Sequence, residues 1–255
     1  MAFRTGNPAL TSKTFTDVAR TGDSMTIQGT VNKTFLLLLL ALASAYWVWS
    51  RFYANGLEPA QLAQSVEAVY PWLIGGSLGG LVVAIVTVFK KSWAMVTGPI
   101  YALLEGLVLG GLSAIFEAQY PGIVFQAVGL TFGTLGCLLL AYTSRMIQPS
   151  ENFKLGIVAA TGGIFLIYLA TFILGFFGIE IPYIHGNGLI GIGFSVFVVI
   201  IAALNLVLDF DFIENGARHG APKYMEWYAA FGLIVTLIWL YIEILRLLAK
   251  IRSRD

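Results

Sequence analysis

The stretch Phe194–Gly216, FSVFVVIIAALNLVLDFDFIENG, decides how the rest of the chain is interpreted. It is a nearly unbroken apolar run which, with the residues before it, reaches the ~20 residues that a membrane-spanning helix needs. The run ends in three acids within six residues, Asp209, Asp211 and Glu214. Acids beside a run that suits hydrocarbon are costly, so they usually pair, titrate or hold a cation. We therefore expect a membrane-embedded helix with an acidic end.

The composition of the whole chain predicts an integral membrane protein whose surroundings are the lipid bilayer. Of its 255 residues, 58% are hydrophobic and only 11% are charged, whereas a soluble domain carries roughly a quarter charged residues. The net charge of +1 gives a nucleic-acid partner no electrostatic support. The single cysteine, Cys137, lies in an apolar run and is expected to be a small buried side chain.

Seven apolar segments predict an all-α protein with seven transmembrane helices. They are Thr34–Phe52, Tyr70–Phe89, Trp93–Phe116, Val124–Tyr142, Leu155–Phe177, Leu189–Leu208 with the acidic end after it, and Trp227–Leu248. The connections are short, so residues 33–255 form one predicted transmembrane domain. Residues 1–32 form a predicted polar tail, in which Phe15–Ile27 suits either a mobile segment or a short amphipathic helix at the membrane surface.

The Lys and Arg residues predict the orientation of the chain. With seven spans, ten of the fifteen lie on the side of the N-terminus, which places the N-terminus in the cytoplasm. Four of the other five lie near the C-terminus, and a re-entrant last segment would keep them on the cytoplasmic side. We favour a full crossing because Trp227–Leu248 is long enough to span. Ala41–Ala45 resembles a signal-peptidase site, but the late start of the first apolar run favours an uncleaved helix.

Helix geometry separates the acids that end segment six. Asp209 and Asp211 are two residues apart, so about 200° separates their side chains around the helix and only one can face the interior. Asp209 lies deeper and shares a face with Asn205, one turn earlier. We expect Asp209 to be the interior group, where a partly dehydrated carboxylate is a candidate proton switch. Asp211 and Glu214 are expected to meet water, although Asp211 stays a candidate for the gate.

Two further acids lie inside apolar segments. Glu105 is near the middle of segment three, where a carboxylate must be neutral, paired or hydrated, so it is a second candidate for an ion path. Glu243 in segment seven has Arg246 three residues later, a spacing that predicts an ion pair on one helix face. Glu243 is also a candidate for the gate, whereas Glu226, at the start of segment seven, is expected at the membrane surface. Because hard cations prefer carboxylate oxygens, Asp209 and Glu105 are the candidate calcium ligands.

No group of residues predicts catalysis. The two histidines, His185 and His219, fall in loops on opposite sides of the membrane in the seven-span arrangement. Ser195 and Thr161 lie inside apolar segments, where a hydroxyl is expected to bond to its own helix backbone. We therefore predict a protein that is not an enzyme and has no cofactor other than transient Ca²⁺.

Three motifs resemble the Bax inhibitor-1/YccA family of multi-spanning membrane proteins. They are YALLEGLVLGGLSAIFE (Tyr101–Glu117), LNLVLDFDFIENG (Leu204–Gly216) and AFGLIVTLIWLYIEILRLL (Ala230–Leu248). The segment MTIQGTVNKTF (Met25–Phe35) looks like a bacterial branch of the family, which implies a bacterial plasma membrane. The resemblance implies a bundle in which six helices surround the seventh, and a pH-sensitive calcium leak.

The resemblance also implies a proton-sensitive latch between an Asp of helix six and an Asp of helix seven. Asp209 matches the first Asp, and Asp211 falls where the family signature has Gln. When Arg246 is aligned with the family's terminal Arg, Thr236 lies near the position of the second Asp. This departure leaves three alternatives: a latch of Asp209 with Asp211, a latch that uses an acid such as Glu243, or no pH gating.

Three functions are compatible with these residues. The leading hypothesis is a calcium or cation leak channel with Asp209 and Glu105 as path residues. The YccA resemblance implies instead a regulator or binding partner of a membrane-anchored ATP-dependent protease, with residues 1–32 as the contact. A proton-coupled secondary transporter would also fit the glycine-rich helices and Glu105, although no substrate signature is present.

Overall fold

The computed structural model of the chain describes residues 24–54, 56, 58–178, 186 and 188–254. Seven long helices account for nearly all of them: α1 (Ile27–Tyr53), α2 (Pro59–Phe89), α3 (Ala94–Gln119), α4 (Ile123–Thr143), α5 (Glu151–Phe176), α6 (Leu189–Arg218) and α7 (Met225–Arg252). All seven are long and apolar enough to cross a membrane, and the residues described contain no β-strand. The prediction of an all-α integral membrane protein with seven transmembrane helices is therefore confirmed.

The helices extend beyond the predicted apolar segments. Thr26 caps α1, so this helix begins at Ile27 rather than at Thr34. α2 begins at Pro59 rather than at Tyr70, so Glu67 lies inside the helix. Helical hydrogen bonds continue past the apolar run into the polar interface, where hydropathy gives no signal. Of the predicted surface helix around Phe15–Ile27, all but the last few residues lie outside the described residues.

The last helix, α7, is the most deeply buried of the seven. In its most apolar 18-residue stretch, 61% of the residues are buried, compared with 44% in the corresponding stretches of α3 and α6 and 11% in that of α5. It packs against α1, α3, α4 and α6, whereas α2 packs against α1 and α3. Tyr228, Phe231 and Leu240 are among the largest fully buried side chains. The finer arrangement, with all six other helices around α7, stays a prediction.

The outer surface of the bundle suits hydrocarbon. Large apolar side chains are exposed along the spans, among them Leu78, Val82, Phe125, Phe165 and Phe172. Cys137 on α4 is also exposed, so the prediction that it is buried is wrong. An apolar run does not distinguish a face that packs against protein from a face that meets lipid, because both are equally hydrophobic.

α1 and α3 pack with their backbones close together. A Cβ atom at Gly106 would lie 2.2 Å from the backbone oxygen of Ala41, and one at Gly110 would lie 2.2 Å from that of Ala45. Only glycine allows this approach, as is common where membrane helices cross. The glycines that follow Glu105 in α3 therefore serve tight packing between helices.

Contacts between helix ends define two ends of the bundle. The backbone N–H of Met25 donates to the carbonyl of Ala221 at 2.7 Å, so α1 and α7 begin together at what we call the proximal end. At the other end, the distal end, the Arg252 guanidinium donates to the carbonyl of Pro121 at 2.7 Å. α7 runs between them as one helix of 28 residues, about 42 Å long. One uninterrupted helix of this length supports the full crossing over the re-entrant alternative, and the side of the membrane that holds the N-terminus stays a prediction.

Candidate functional site

The acidic end of α6 lies inside the bundle. Asp209 is 1% exposed, and every residue from Asn205 to Phe210 is buried. The Asn205 amide donates to the hydroxyl of Thr161 on α5 at 2.9 Å and to the carbonyl of Ile201 in its own helix at 2.8 Å. The prediction that Asp209 is the interior acid is confirmed, while its role stays a prediction. The bond to Thr161 joins two helices, which the expectation of a hydroxyl bonded to its own backbone did not foresee.

Asp211 does not meet water as predicted. Its side chain is 14% exposed, and its Oδ2 lies 2.7 Å from the Nζ of Lys154, a buried lysine near the start of α5. Lys154 also lies 3.4 Å from Glu151. Since α5 begins and α6 ends at the proximal end, the ion pair ties these two helices together there. The prediction failed because the geometry of α6 alone does not show that a neighbouring helix places a lysine against the face that carries Asp211.

Glu214 is partly enclosed but still meets water as predicted, because its side chain is 29% exposed. The hydroxyl of Tyr142, at the end of α4, donates to one carboxylate oxygen. The Arg218 guanidinium, one turn later on α6, donates to the other. The two acids that follow Asp209 therefore hold α4 and α5 against the end of α6.

Glu105 lies at a different pair of helices. A Cβ atom at Gly80 of α2 would lie 2.5 Å from its Oε1, so the half-buried carboxylate packs against the glycines of α2. Asp209 is on α6, which packs against α7, α4, α5 and α1. Within the described part of the chain, no three His, Cys, Asp or Glu side chains form a group that could hold a metal ion. A calcium-ligand role for Glu105 or Asp209 stays a prediction.

The predicted ion pair between Glu243 and Arg246 is confirmed. The two side chains lie 3.1 Å apart, and the Tyr168 hydroxyl on α5 donates to the same Glu243 oxygen at 3.0 Å. Glu243 is 2% exposed and Arg246 is 41% exposed, so the pair reaches from the interior to the outer surface. The guanidinium also lies 5.8 Å from the centre of the Tyr168 ring, within the range of a cation–π contact.

Thr236 provides no second carboxylate for a latch. It is buried, and its hydroxyl donates to the carbonyl of Gly232 in its own helix at 3.3 Å. The two acids that the sequence offered as alternative partners of Asp209 are both engaged elsewhere, Asp211 with Lys154 and Glu243 with Arg246. A latch of the kind implied by the family resemblance would therefore need these ion pairs to open first.

The sequence did not reveal the role of Glu226, which was predicted to lie at the membrane surface. Glu226 is 0% exposed. The N–H and the hydroxyl of Thr26 donate to its Oε1 at 2.9 and 2.8 Å, Lys33 donates to its Oε2, and Lys223 lies 3.2 Å from Oε1. The carboxylate thus joins the start of α1 to the start of α7. One signal was present: Lys33 and Glu226 have opposite charge at similar depth on the same side of a seven-span chain.

Lys250, near the distal end, is a second buried charge that the sequence did not reveal. Its ammonium group donates to the carbonyl of Gly191 at 3.1 Å and to the hydroxyl of Ser195 at 2.9 Å. The Ser195 hydroxyl therefore takes part in a hydrogen bond between α6 and α7, whereas it was predicted to bond to the backbone of its own helix. The ring of His219 bonds to a carbonyl of its own helix, and His185 lies outside the described residues.

α5 connects several of these groups through one polar face. It carries polar side chains at intervals of seven residues, close to two helical turns, so they share a face. Each is bonded to a side chain of α6 or α7: Lys154 to Asp211, Thr161 to Asn205, and Tyr168 to Glu243. We call these six residues the polar seam. It starts at the proximal end and reaches past the middle of the bundle, and Asp209 lies on α6 between its first two pairs.

Comparison with known proteins points to one family. The family model described as Bax inhibitor 1 like matches residues 7–253, which include all seven helices. No curated protein and no solved structure was found to match the chain.

Proposed function

The chain belongs to the Bax inhibitor 1 like family, and from this premise we propose that it is a cation leak channel that passes calcium along the polar seam. Asp209 is the proposed wall residue that attracts the ion. The observation that carries the proposal is the burial of this carboxylate beside the polar seam, in the interior of the helix bundle. A carboxylate at such a place is expensive, and in membrane proteins such groups mark ion paths.

The chemistry of the polar seam supports an ion path. Hard cations prefer oxygen ligands, and the seam together with Asp209 offers carboxylate, amide and hydroxyl oxygens at successive depths. At its proximal end the Lys154–Asp211 pair joins α5 to α6. We propose that this pair is the gate, because a lysine held there repels a cation until the pair separates.

The proposed path leaves out Glu105. Its carboxylate packs against Gly80 of α2, whereas the polar seam lies on α5, α6 and α7. This acid therefore offers a matched control for Asp209, since both are carboxylates within long helices of the bundle and only Asp209 lies beside the seam.

Calcium flux into proteoliposomes tests the proposal. The wild-type protein should pass calcium, and Asp209→Asn should pass it at least several-fold more slowly, because the neutral amide no longer attracts the ion. Glu105→Gln should stay close to the wild type. Absence of flux in the wild type would rule out a channel, and equal loss in both variants would show that Asp209 has no special place in the path.

Two other predicted functions lack a supporting contact among the described residues. The proposed contact for a membrane-anchored protease, residues 1–32, is described only from residue 24, and its last six residues belong to α1. Proton-coupled transport rested on Glu105, which lies outside the polar seam. Both stay predictions, as do the bacterial plasma membrane and the cytoplasmic N-terminus. The lack of an enzymatic activity is likewise part of the proposal.

A further inference from the structure

A groove runs between α1 and α4, both of which pack against α7. It consists of two cavities of about 610 and 350 Å³ that share Leu38, Phe132 and Leu237 in their walls. The first cavity lies at the proximal end, and the second continues toward Trp49 at the distal end. We call the first cavity the proximal groove. Because the groove lies between two outer helices, a molecule of the surrounding lipid can enter it.

The depth of the proximal groove matches one leaflet of a bilayer. Along α1 it extends from Ile27 to Leu38, about 16 Å at 1.5 Å per residue. The hydrocarbon core of a bilayer is about 30 Å thick, so this is close to half of it. The deep walls are apolar, with Val31, Phe35 and Leu139 among the lining residues. An acyl chain from the proximal leaflet therefore fits the length and the chemistry of the groove.

The mouth of the proximal groove carries charge that is mostly satisfied within the protein. Asp211 is paired with Lys154, and Glu214 is bonded to Tyr142 and Arg218. Arg145 also lines the mouth, is exposed, and forms no ion pair with any residue that the structure describes. The charge that the mouth offers to an occupant is therefore the Arg145 guanidinium, which suits an anionic phosphate group.

The backbone at Arg145 gives independent support. Arg145 has a φ of 60°, and its N–H donates to the carbonyl of Tyr142 where α4 ends. This left-handed position after a helix is one that glycine usually occupies, because a side chain there is unfavourable. Among the described residues it is the one non-glycine position with positive φ. An arginine at a backbone position that favours glycine indicates that its guanidinium makes a contact that offsets the unfavourable conformation.

We propose that the proximal groove binds one anionic phospholipid of the proximal leaflet, with its phosphate at Arg145 and one acyl chain between α1 and α4. The basic side of a membrane protein faces the leaflet that is richer in anionic lipid, and basic pockets between spans bind such head groups. The mouth of the groove includes Asp211 of the polar seam, but the proposed lipid contacts are Arg145 and the walls between α1 and α4. Lipid binding there therefore does not depend on the proposed ion path.

Native mass spectrometry of the full chain, exchanged from detergent with an equal mixture of phosphatidylglycerol and phosphatidylcholine, tests this site. The wild type should retain one phosphatidylglycerol molecule in preference to phosphatidylcholine. Arg145→Gly should lower that preference about five-fold, since one basic residue near an anionic surface contributes roughly that factor. Arg145→Lys should keep most of it. Arg51→Ala, which removes an exposed arginine of α1 outside the groove, is the matched control and should behave as the wild type.

Stability and a second variant separate lipid binding from folding. Arg145→Gly relieves the left-handed backbone, so its melting temperature in lipid-free detergent should equal or exceed that of the wild type. Val31→Trp, at an exposed position of the groove wall, should reduce retention of both lipids by filling the space. Equal retention of the two lipids by the wild type would indicate surrounding lipid only and overturn the proposal. An unchanged preference in Arg145→Gly, or a dimer in place of the lipid adduct, would also overturn it.

Discussion

The two ends of the bundle are held together by different chemistry. At the proximal end, carboxylates pair with lysines of other helices: the fully buried Glu226 with Lys33 of α1, and Asp211, which is 14% exposed, with Lys154 of α5. Removal of one partner of a fully buried pair leaves an unpaired buried charge, which costs about 3–5 kcal/mol, and the cost is smaller for a partly exposed pair. Ion pairs between helices therefore hold the proximal end together.

At the distal end, the charged side chains bond to neutral acceptors of other elements. Lys250 donates to the carbonyl of Gly191 and the hydroxyl of Ser195, and Arg252 donates to the carbonyl of Pro121. Each hydrogen bond from a charged group is worth about 1.5–3 kcal/mol, and loss of one neutral acceptor costs less than loss of a counter-charge. We infer that the proximal end resists separation more strongly, which suits it to the role of gate.

The largest effect is expected for Glu226→Gln. The amide still accepts a bond from Thr26 but leaves Lys33 and Lys223 without their carboxylate, so unfolding in detergent should become easier by about 3 kcal/mol. Glu151→Gln is the control, because the Glu151 side chain is 56% exposed and its ion pair should contribute less than about 1 kcal/mol. If the free energy of unfolding fell by a similar amount in the two variants, the burial of Glu226 would make no extra contribution to stability.

A smaller effect is expected for each half of the Lys154–Asp211 pair. Lys154→Met and Asp211→Asn should each destabilise the protein by about 2 kcal/mol, and the double variant should lose less than the sum, with a coupling of about 1 kcal/mol or more. Denaturant unfolding of the four proteins measures the coupling. The same variants should raise calcium flux if the pair is the gate. Additive losses would mean that the two side chains do not stabilise the fold as a pair.

The smallest effect is expected at the distal end, for Ser195→Ala. It removes one acceptor of Lys250 and leaves the carbonyl of Gly191, so the loss should be about 1 kcal/mol. Ser50→Ala is the control, because that exposed hydroxyl donates only to the carbonyl of Trp47 in its own helix. A loss at Ser195 as large as that at Glu226 would contradict the difference between the two ends.

Much of the fold could be predicted from local pattern. The seven apolar runs predicted the number and order of the helices. The angle of about 200° between residues two apart, together with the greater depth of Asp209, identified it as the interior acid. The Glu243–Arg246 pair was also predictable, because both residues lie on one helix. Each of these predictions needs only the geometry of a single helix.

The contacts between helices could not be predicted in this way. Asp211 was expected in water because its partner, Lys154, lies on another helix at a distance in sequence that pattern does not connect. Glu226 was placed at the surface because it precedes the apolar run of its helix, yet Thr26 and Lys33 enclose it. Cys137 was placed inside because hydropathy is the same for a lipid-facing and a protein-facing residue. Each of these three predictions failed because the surroundings of the residue depend on how the helices pack against one another and against lipid.

The central claim is that the charge of a buried carboxylate on α6 controls a calcium path, and calcium flux through two variants of Asp209 tests it most directly. Asp209→Glu keeps the charge and should pass calcium into proteoliposomes at a rate close to that of the wild type. Asp209→Asn removes the charge and should pass calcium at least several-fold more slowly, because the amide no longer attracts the ion. Equal rates for the two variants would contradict the claim.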